Sequence, residues 1–122
     1  MASSAIEKWA DSIQQFEGWS PGSKSYRNNN PGNLRYSHQA NARNDGNGFA
    51  KFETYEEGRR ALIAMLTDAA SGKSHIYKPT MSLTEFFRIY APTADHNRPD
   101  NYAKTVADKV GVKPDTPISQ LL

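Results

Sequence analysis

The sequence predicts a predominantly helical α+β fold with one small β-hairpin. Four stretches carry apolar residues at helical spacing, and each begins at a capping signal and ends near a glycine or a proline. Two short apolar segments lie on either side of a connection rich in Asn, Asp and Gly, which indicates a hairpin. A chain of 122 residues is long enough for one core and too short for two, so we expect a single domain over residues 1–122.

Capping signals set the expected bounds of the four helices. A Glu lies three residues after Ser4, Thr54 and Ser82, as in a capping box, and proline is favoured at the first position of a helix. The helices are expected from Ser4 to Glu17, from Thr54 to Gly72, from Ser82 to the residue before Pro92, and from Pro99 to Gly111.

The remaining elements are short. Residues 34–36 and 49–52 are the expected strands of the hairpin, and their connection contains the turn sequence Asn-Asp-Gly-Asn-Gly at residues 44–48. A long loop is expected over residues 18–33, and a last short turn over residues 116–121.

Composition argues against several classes of function. The net charge of +2 is small and scattered along the chain, which disfavours nucleic-acid binding. The chain has no cysteine, and His38, His75 and His96 do not show the spacing of metal ligands. Asp95 and Asn97 resemble the start of a calcium loop, but the Gly and Glu that such a loop requires are missing. We therefore expect no metal and no cofactor.

The sequence shows neither a signal peptide nor a membrane-spanning segment. Its beginning lacks a basic region followed by an apolar run, and no stretch approaches the ~18 apolar residues of a membrane helix. We expect a protein that is made in the cytoplasm and does not insert into a membrane. If its target lies outside the cell, another component must carry it there.

Glu17 is the first candidate functional residue, because it stands where an apolar residue belongs. It follows Ile13 by four positions and so falls on the apolar stripe of the first helix, away from the polar face. A carboxyl group among apolar side chains favours its neutral form, so the pKa of Glu17 is expected to rise toward that of a general acid. The alternative is that the helix frays at Gly18 and that Glu17 turns into water.

An Asn-rich loop over residues 28–33 is the second candidate. Its four Asn side chains offer donors and acceptors that suit the hydroxyl and acetamido groups of an N-acetylated sugar. In the alternative interpretation, the loop is a tight turn at Pro31-Gly32 in which the amides bond only to the chain. Four Asn within six residues, flanked by Arg27 and Arg35, are more than one turn requires.

A polar segment over residues 91–101 separates Tyr90 from Tyr102. Much of this segment has the composition of a helix-to-helix connection with capping residues. Tyr90 and Tyr102 could line a carbohydrate groove, although aromatic residues at helical spacing more often belong to a core.

Together, these residues carry a resemblance to a known family. Residues 16–18 (Phe-Glu-Gly), residues 26–35 (Tyr-Arg-Asn-Asn-Asn-Pro-Gly-Asn-Leu-Arg) and residues 49–62 resemble the lysozyme-like proteins that are common in phages and prophages. The same family is matched by Tyr90-Ala91-Pro92, then by Asp95, Asn97 and Tyr102, and then by Val106 and Gly111-Val112, so that the resemblance covers nearly the whole chain. The family is similar to lytic transglycosylases and goose-type lysozymes.

The resemblance implies a lysozyme-like domain that cleaves peptidoglycan glycan strands between N-acetylmuramic acid and N-acetylglucosamine. It places the general acid at Glu17 and the substrate-binding residues at Asn30, Asn33, Arg35, Tyr90 and Tyr102. It further implies a monomer that acts on the bacterial cell wall and is phage-encoded or virion-associated, as an endolysin or a virion component. Two alternatives remain open: a non-catalytic binding or virion structural module with the same fold, and a chitin-directed glycosidase.

A second catalytic carboxylate is not evident from the sequence. Asp45, Glu53, Glu56 and Glu57 are candidates by position, but Glu57 is explained as a capping residue and Asp45 as a turn residue. Transglycosylases of the similar family use a single Glu, and the substrate's own hydroxyl closes an anhydro ring.

Overall fold

The structure is a computed structural model that describes residues 2–90 and 99–122. In chain order these contain α1 (Ser4–Phe16), α2 (Lys24–Arg27), β1 (Ala42–Asn44), β2 (Ala50–Phe52), α3 (Tyr55–Ser71), α4 (Leu83–Tyr90), α5 (Pro99–Val110) and a 3₁₀ helix (Ile118–Leu121). Helices dominate and the only sheet of the described residues is the antiparallel pair β1–β2, which confirms the predicted α+β class.

The chain divides into two compact units. The first consists of Met1–Ser12 and Met65–Leu122, and the second consists of Ile13–Ala64. The helices α1 and α3 each contribute residues to both units. A single domain over residues 1–122 remains a prediction.

The first unit has an aromatic core centred on Phe86. The ring of Phe86 lies 4.7 Å from that of Trp9 in an edge-on arrangement and 4.5 Å from that of Tyr77, measured between centroids. Such contacts add about 0.5–1.5 kcal/mol per pair to the burial of the rings themselves. The fully buried side chains around them are Ile6, Leu66, Leu83, Phe87, Val106, Ile118 and Leu121.

One of the predicted capping boxes is complete, and one half of a second is present. The backbone N–H of Ser82 donates to Oε1 of Glu85, and the N–H of Glu85 donates to Oγ of Ser82, both at 3.1 Å. At the start of α3, the N–H of Glu57 donates to Oγ1 of Thr54 at 3.2 Å. These bonds satisfy donors that the first turn of a helix leaves without an intrahelical acceptor, which is why α4 and α3 begin where the sequence predicts.

The predicted cap of α1 is wrong by one residue. Oγ of Ser3, not of Ser4, accepts the hydrogen bond from the N–H of Ile6, at 3.0 Å. The same hydroxyl donates to the carbonyl of Leu121 at 2.6 Å. Ser3 therefore caps the helix and bonds to the end of the chain at once, and this second partner, far away in sequence, favours it over its neighbour.

The predicted hairpin of the second unit is correct in its second strand and wrong in its first. β2 pairs with residues 42–44, in the register Ala42↔Phe52, Arg43↔Lys51 and Asn44↔Ala50. Residues 34–36 form only the isolated bridge Arg35↔Phe49. The reason is the tight turn at residues 45–49, closed by the N–H of Asp45 donating to the carbonyl of Phe49 at 2.9 Å, which pairs the residues immediately on either side of it.

The loop expected over residues 18–33 contains the short helix α2. Oγ of Ser23 accepts from the N–H of Tyr26 at 3.2 Å and so caps it. Four residues are too few to show a helical period, so the apolar pattern could not reveal this element.

Tyr77 gives the first unit a measurable response to high pH. Its side chain is only 8% exposed, and burial raises the pKa of Tyr77 from the ordinary 10.0 to about 12. The unfolded chain loses this proton at a lower pH than the folded chain. The contribution of Tyr77 to the free energy of unfolding is therefore complete below about pH 10 and falls as the pH approaches about 12. We expect the free energy of unfolding, measured by urea denaturation at a series of pH values, to fall less steeply above pH 10 in Tyr77→Phe than in the wild type.

The exposed Tyr26 provides the control for this measurement, since Tyr26→Phe also removes one phenol. The Tyr26→Phe protein should keep the wild-type slope. Identical slopes in the wild type and Tyr77→Phe would contradict the burial of the Tyr77 hydroxyl.

Candidate functional site

Glu17 occupies the C-cap of α1, and the helix end around it is ordered. The N–H of Gly18 donates to the carbonyl of Gln15 at 3.0 Å, and the N–H of Trp19 donates to the carbonyl of Gln14 at 3.4 Å. These two bonds, with Gly18 in the left-handed region at φ 68°, form a Schellman motif. The helix therefore does not fray at Gly18, whereas the other part of the alternative, that the Glu17 side chain turns into water, stays open.

Glu17 is also held by the segment that follows. Its carbonyl accepts a hydrogen bond from Oγ of Ser25 in α2 at 3.4 Å, and Ser25 itself is buried. The Glu17 residue is half-buried. The direction in which its carboxyl group faces, which we expect to be toward the Asn-rich loop, remains a prediction.

Two Asn residues adopt left-handed backbone conformations in the Asn-rich loop. Asn29 has φ 51° and Asn33 has φ 49°, values that Asn tolerates better than most residues. Between them, the N–H of Asn33 donates to the carbonyl of Asn30 at 2.9 Å and closes the predicted turn around Pro31-Gly32.

The side chain of Asn30 is completely buried and bonds only to the backbone. Its Nδ2 donates to the carbonyls of Leu34 and Ala50 at 3.0 and 2.9 Å, and its Oδ1 accepts from the N–H of Leu34 at 2.9 Å. Both donors are used and no part of the residue is exposed to solvent. A sugar cannot reach this amide in the present conformation, so we assign Asn30 to the scaffold of the loop and not to the surface that would meet a substrate.

Asn28 and Asn29 also bond to the chain. Nδ2 of Asn28 donates to Oδ2 of Asp45 at 2.9 Å, and Nδ2 of Asn29 donates to the carbonyls of Phe52 and Glu53 at 3.0 and 3.1 Å. Three of the four amides thus follow the alternative interpretation, in which the loop is held by its own side chains.

Asn33 differs from the other three. Its Oδ1 is buried and has no hydrogen-bond partner among the described residues. A buried acceptor without a donor costs about 1–3 kcal/mol, so it is the atom of this loop that gains most from an external N–H or O–H donor.

Gly58 allows the loop to approach α3 closely. A Cβ atom built on Gly58 would lie 1.8 Å from the carbonyl oxygen of Asn29 and 3.0 Å from Cδ of Pro31. A glycine within a helix is normally unfavourable, and here the close contact with the loop backbone explains it.

Arg35 is exposed and lies over an aromatic ring. Its guanidinium carbon is 4.5 Å from the ring centroid of Phe49, and Nζ of Lys24 is 3.3 Å from the same centroid. Both distances are within the range of cation–π attraction. Arg35 keeps its guanidinium at the surface, where a ligand can reach it.

Tyr90 and Tyr102 belong to the first unit, where both contact its aromatic core. The ring of Tyr90 is stacked 5.4 Å from that of Phe86, and the ring of Tyr102 lies edge-on 5.8 Å from that of Phe87. Both tyrosines are half-buried. Most of the segment between them, residues 91–98, with Asp95, His96 and Asn97, lies outside the described residues.

Asp45 has a structural function in the hairpin turn. Its Oδ1 accepts from the N–H groups of Asn47 and Phe49 at 2.7 and 3.1 Å. The bond from Asn47, the bond from Asn28 and the nearby charge of Lys24 lower the pKa of Asp45 below its ordinary 3.8. Asp45 is therefore an ionised carboxylate whose oxygens are already occupied.

Sequence reasoning did not identify a cluster of three aromatic side chains beside Glu17. The ring of Trp19 lies 5.0 Å from that of Tyr26 and 5.1 Å from that of Tyr55, between centroids. The hydroxyl of Tyr55 donates to Oε1 of Gln14 at 2.7 Å. The sequence signal that could have indicated it is Gly18. A glycine directly after a helix indicates a C-terminal cap, and such a cap fixes the backbone of the next residue, here Trp19.

Neither a metal site nor a membrane helix is found in the described part of the chain. No group of three or more His, Cys, Asp or Glu residues there could hold a metal ion. No helix there has the length and apolar character needed to cross a bilayer. Comparison of the chain with protein-family models, with curated proteins and with solved structures finds no match.

The contact between Gly58 and the loop predicts that alanine at this position destabilises the protein, although alanine is normally favoured over glycine in a helix. Ala is favoured over Gly inside a helix by about 1 kcal/mol, yet Gly58→Ala should lower the free energy of unfolding by about 1–3 kcal/mol or more, because the methyl group overlaps the Asn29 carbonyl. Urea denaturation measures this change. Arg60→Ala, at an exposed position of α3, is the control and should change stability little. A more stable Gly58→Ala protein would show that the loop does not lie against α3.

Proposed function

We propose that this protein cleaves the glycan strands of peptidoglycan between N-acetylmuramic acid and N-acetylglucosamine, with Glu17 as the general acid. The proposal includes a lysozyme-like fold and action on the bacterial cell wall as a phage-encoded or virion-associated monomer. It rests on the resemblance of residues 16–18 and 26–35 to the phage lysozyme-like proteins. The observation that carries it furthest is the half-buried Glu17 at the ordered carboxyl end of α1.

The position of Glu17 suits a proton donor. The last carbonyl groups of a helix carry partial negative charge, which disfavours a carboxylate anion beside them. Partial burial acts in the same direction, since it disfavours the charged form. The hydrogen bonds of Gly18, Trp19 and Ser25 fix the backbone from which the Glu17 side chain extends.

In the proposed reaction, Glu17 donates its proton to the glycosidic oxygen as the bond from this oxygen to the sugar carbon C1 breaks. The sugar passes through an oxocarbenium-like state. In the transglycosylase form, a hydroxyl of the same sugar attacks C1, and its proton goes to the carboxylate of Glu17. The acid is thereby restored, and no water is consumed.

The other carboxylates near the site favour this form with a single Glu. Asp45 is occupied by the hairpin turn, and Glu57 bonds to Thr54 at the cap of α3. Glu53 and Glu56 are exposed at the surface. None of these environments resembles that of a second catalytic carboxylate held across a glycosidic bond.

Asn33 is the best-supported substrate-binding residue of the Asn-rich loop. Asn33 is half-buried as a residue, unlike Asn30, and a small movement that uncovers its Oδ1 would let this atom accept the N–H of an acetamido group, which both sugars of peptidoglycan carry. Arg35 lies two residues further on with an exposed guanidinium and would meet an oxygen of the glycan. Tyr90 and Tyr102 remain candidates on the first unit.

Replacing Glu17 tests the proposal directly. Glu17→Gln should fold normally and reduce the release of fragments from purified peptidoglycan sacculi by about 10²-fold or more, the usual effect of losing a positioned proton donor. Mass spectrometry of the fragments distinguishes anhydro products from hydrolysed ones. Glu7→Gln makes the same change at an exposed position of α1 and should leave the release unchanged.

The outcomes separate the competing functions. Retained cleavage by a stable Glu17→Gln protein would require a different acid. A wild type that binds sacculi but releases nothing would indicate the non-catalytic module. Cleavage of chitin with intact sacculi would indicate the chitin-directed glycosidase.

Substitution of Asn30 should lower stability, whereas substitution of Asn33 should weaken the binding of the glycan. Asn30→Ala removes three buried hydrogen bonds, after which the Leu34 carbonyl still accepts from the N–H of Ala50 but the N–H of Leu34 and the carbonyl of Ala50 lose the Asn30 amide, and it should lower the free energy of unfolding by about 3 kcal/mol. Asn33→Gly keeps the left-handed backbone accessible, which Ala would not, and should change stability by less than about 1 kcal/mol. It should weaken the binding of soluble peptidoglycan fragments by about 1–3 kcal/mol, measured by calorimetry. Unchanged binding by Asn33→Gly would assign the whole loop to the scaffold.

A further inference from the structure

The side chains of Trp19, Tyr26 and Tyr55 form an aromatic cluster that lies outside the core of the second unit. The core side chains of this unit are Ile13, Leu34, Ala50, Phe52 and Leu62, and all are buried. In contrast, Tyr26 is 42% exposed, and Trp19 and Tyr55 are half-buried. The three rings therefore keep part of their apolar surface in contact with water. This exposure costs free energy, and the buried core of the unit forms without these rings.

The cluster is built onto the two segments that carry the candidate site. Trp19 is the second residue after Glu17 and takes part in the Schellman motif that ends α1. Tyr26 is two residues before Asn28, and its carbonyl accepts the N–H of Asn29 at 3.1 Å. The rings are tilted at 51° and 58° to that of Trp19, so the cluster presents ring faces and not one closed stack.

From this arrangement we propose that Trp19 and Tyr26 form a subsite that stacks against one pyranose ring of the glycan strand. The inference rests on the proposed function, because it takes the glycan as the occupant. One face of a pyranose ring presents C–H groups with partial positive charge, and the face of an aromatic ring is negative. The polar groups of the same sugar remain free at its edge for hydrogen bonding.

Tyr55 is the positioning residue of the subsite. Its ring contacts Trp19, and its hydroxyl bonds to Gln14 in the last turn of α1. Tyr55 therefore supports the indole of Trp19 from the protein side. Of the two tyrosines that contact Trp19, Tyr26 is the more exposed.

Tryptophan fluorescence can test the subsite without reference to catalysis. The chain has two tryptophans, and Trp9 is completely buried in the first unit. Binding of N-acetylchitotetraose, or of a soluble disaccharide-peptide fragment of peptidoglycan, to Glu17→Gln protein should therefore change the emission of Trp19. In the same background, Trp19→Phe should bind with nearly unchanged affinity in calorimetry and lose the emission change.

Variants that remove the aromatic faces provide the decisive comparison. Trp19→Ala and Tyr26→Leu should each weaken saccharide binding by about 5- to 10-fold, which is the scale of one aromatic contact. Tyr26→Leu changes an exposed side chain and so remains informative if Trp19→Ala does not fold. Ile76→Ala removes an exposed apolar side chain from the first unit and should bind as the parent protein does.

Two results would overturn the subsite: no saccharide binding by the parent protein, or wild-type affinity in Tyr26→Leu together with an unchanged Trp19 emission on binding. The proposed function can fail separately. A loss of binding in Tyr26→Leu, with no cleavage by the wild type, would leave a glycan-binding module. Normal binding by Tyr26→Leu, with cleavage that depends on Glu17, would leave the enzyme without this subsite.

Discussion

The hydrogen bonds of one buried amide, that of Asn30, hold together the segment on which the candidate site depends. They join the Asn-rich loop to Leu34 on one side and to Ala50 at the start of β2 on the other. Because the amide is fully buried, each bond forms away from the competition of water, and losing the amide removes the bonds that it makes with the N–H of Leu34 and the carbonyl of Ala50. Asn29 adds bonds to the end of β2, and its carbonyl lies against Gly58 in α3. The loop is thus fixed from three directions by elements of its own unit.

Because the loop is fixed in this way, the absence of a described donor for Oδ1 of Asn33 is informative. A mobile loop could turn a side-chain oxygen toward water, but Asn33 follows a closed turn and has its backbone in the left-handed region at φ 49°. Both the strained backbone and the buried acceptor without a donor cost free energy, and proteins keep such costs mainly where function requires them. The other three amides bond to the chain. The Asn-rich sequence therefore divides into three residues whose amides bond to the chain and Asn33, whose Oδ1 has no donor among the described residues.

The sequence predicted those features whose causes are local. The caps at Thr54 and Ser82 and the ends of α3 and α5 at glycines follow from bonds between residues three or four positions apart, so spacing alone reveals them. The helical class follows from the apolar period in the same way. Features with distant partners were missed: Ser3 caps α1 while it bonds to Leu121, and β1 pairs where the turn places it. The burial of Asn30 belongs to the same group, because nothing in the composition of the loop separates it from Asn33. Glu17 became a candidate because a carboxylate on an apolar stripe breaks a local pattern, and its role remains a prediction.

Two carboxylates of the second unit have opposite surroundings, and this contrast bears most directly on the proposed chemistry. Asp45 receives hydrogen bonds from backbone N–H groups and from Asn28 and lies near Lys24, so that its pKa is lowered and it remains an anion. Glu17 is half-buried and lies at the carbonyl end of α1, and the partial negative charge of a helix end disfavours an added anion. A glycosidase needs a proton donor at the glycosidic oxygen, and an environment such as that of Asp45 cannot supply one at neutral pH. The role of Glu17 as the general acid therefore remains a proposal, which this contrast with Asp45 supports, and Trp19 follows two residues later at the same helix end.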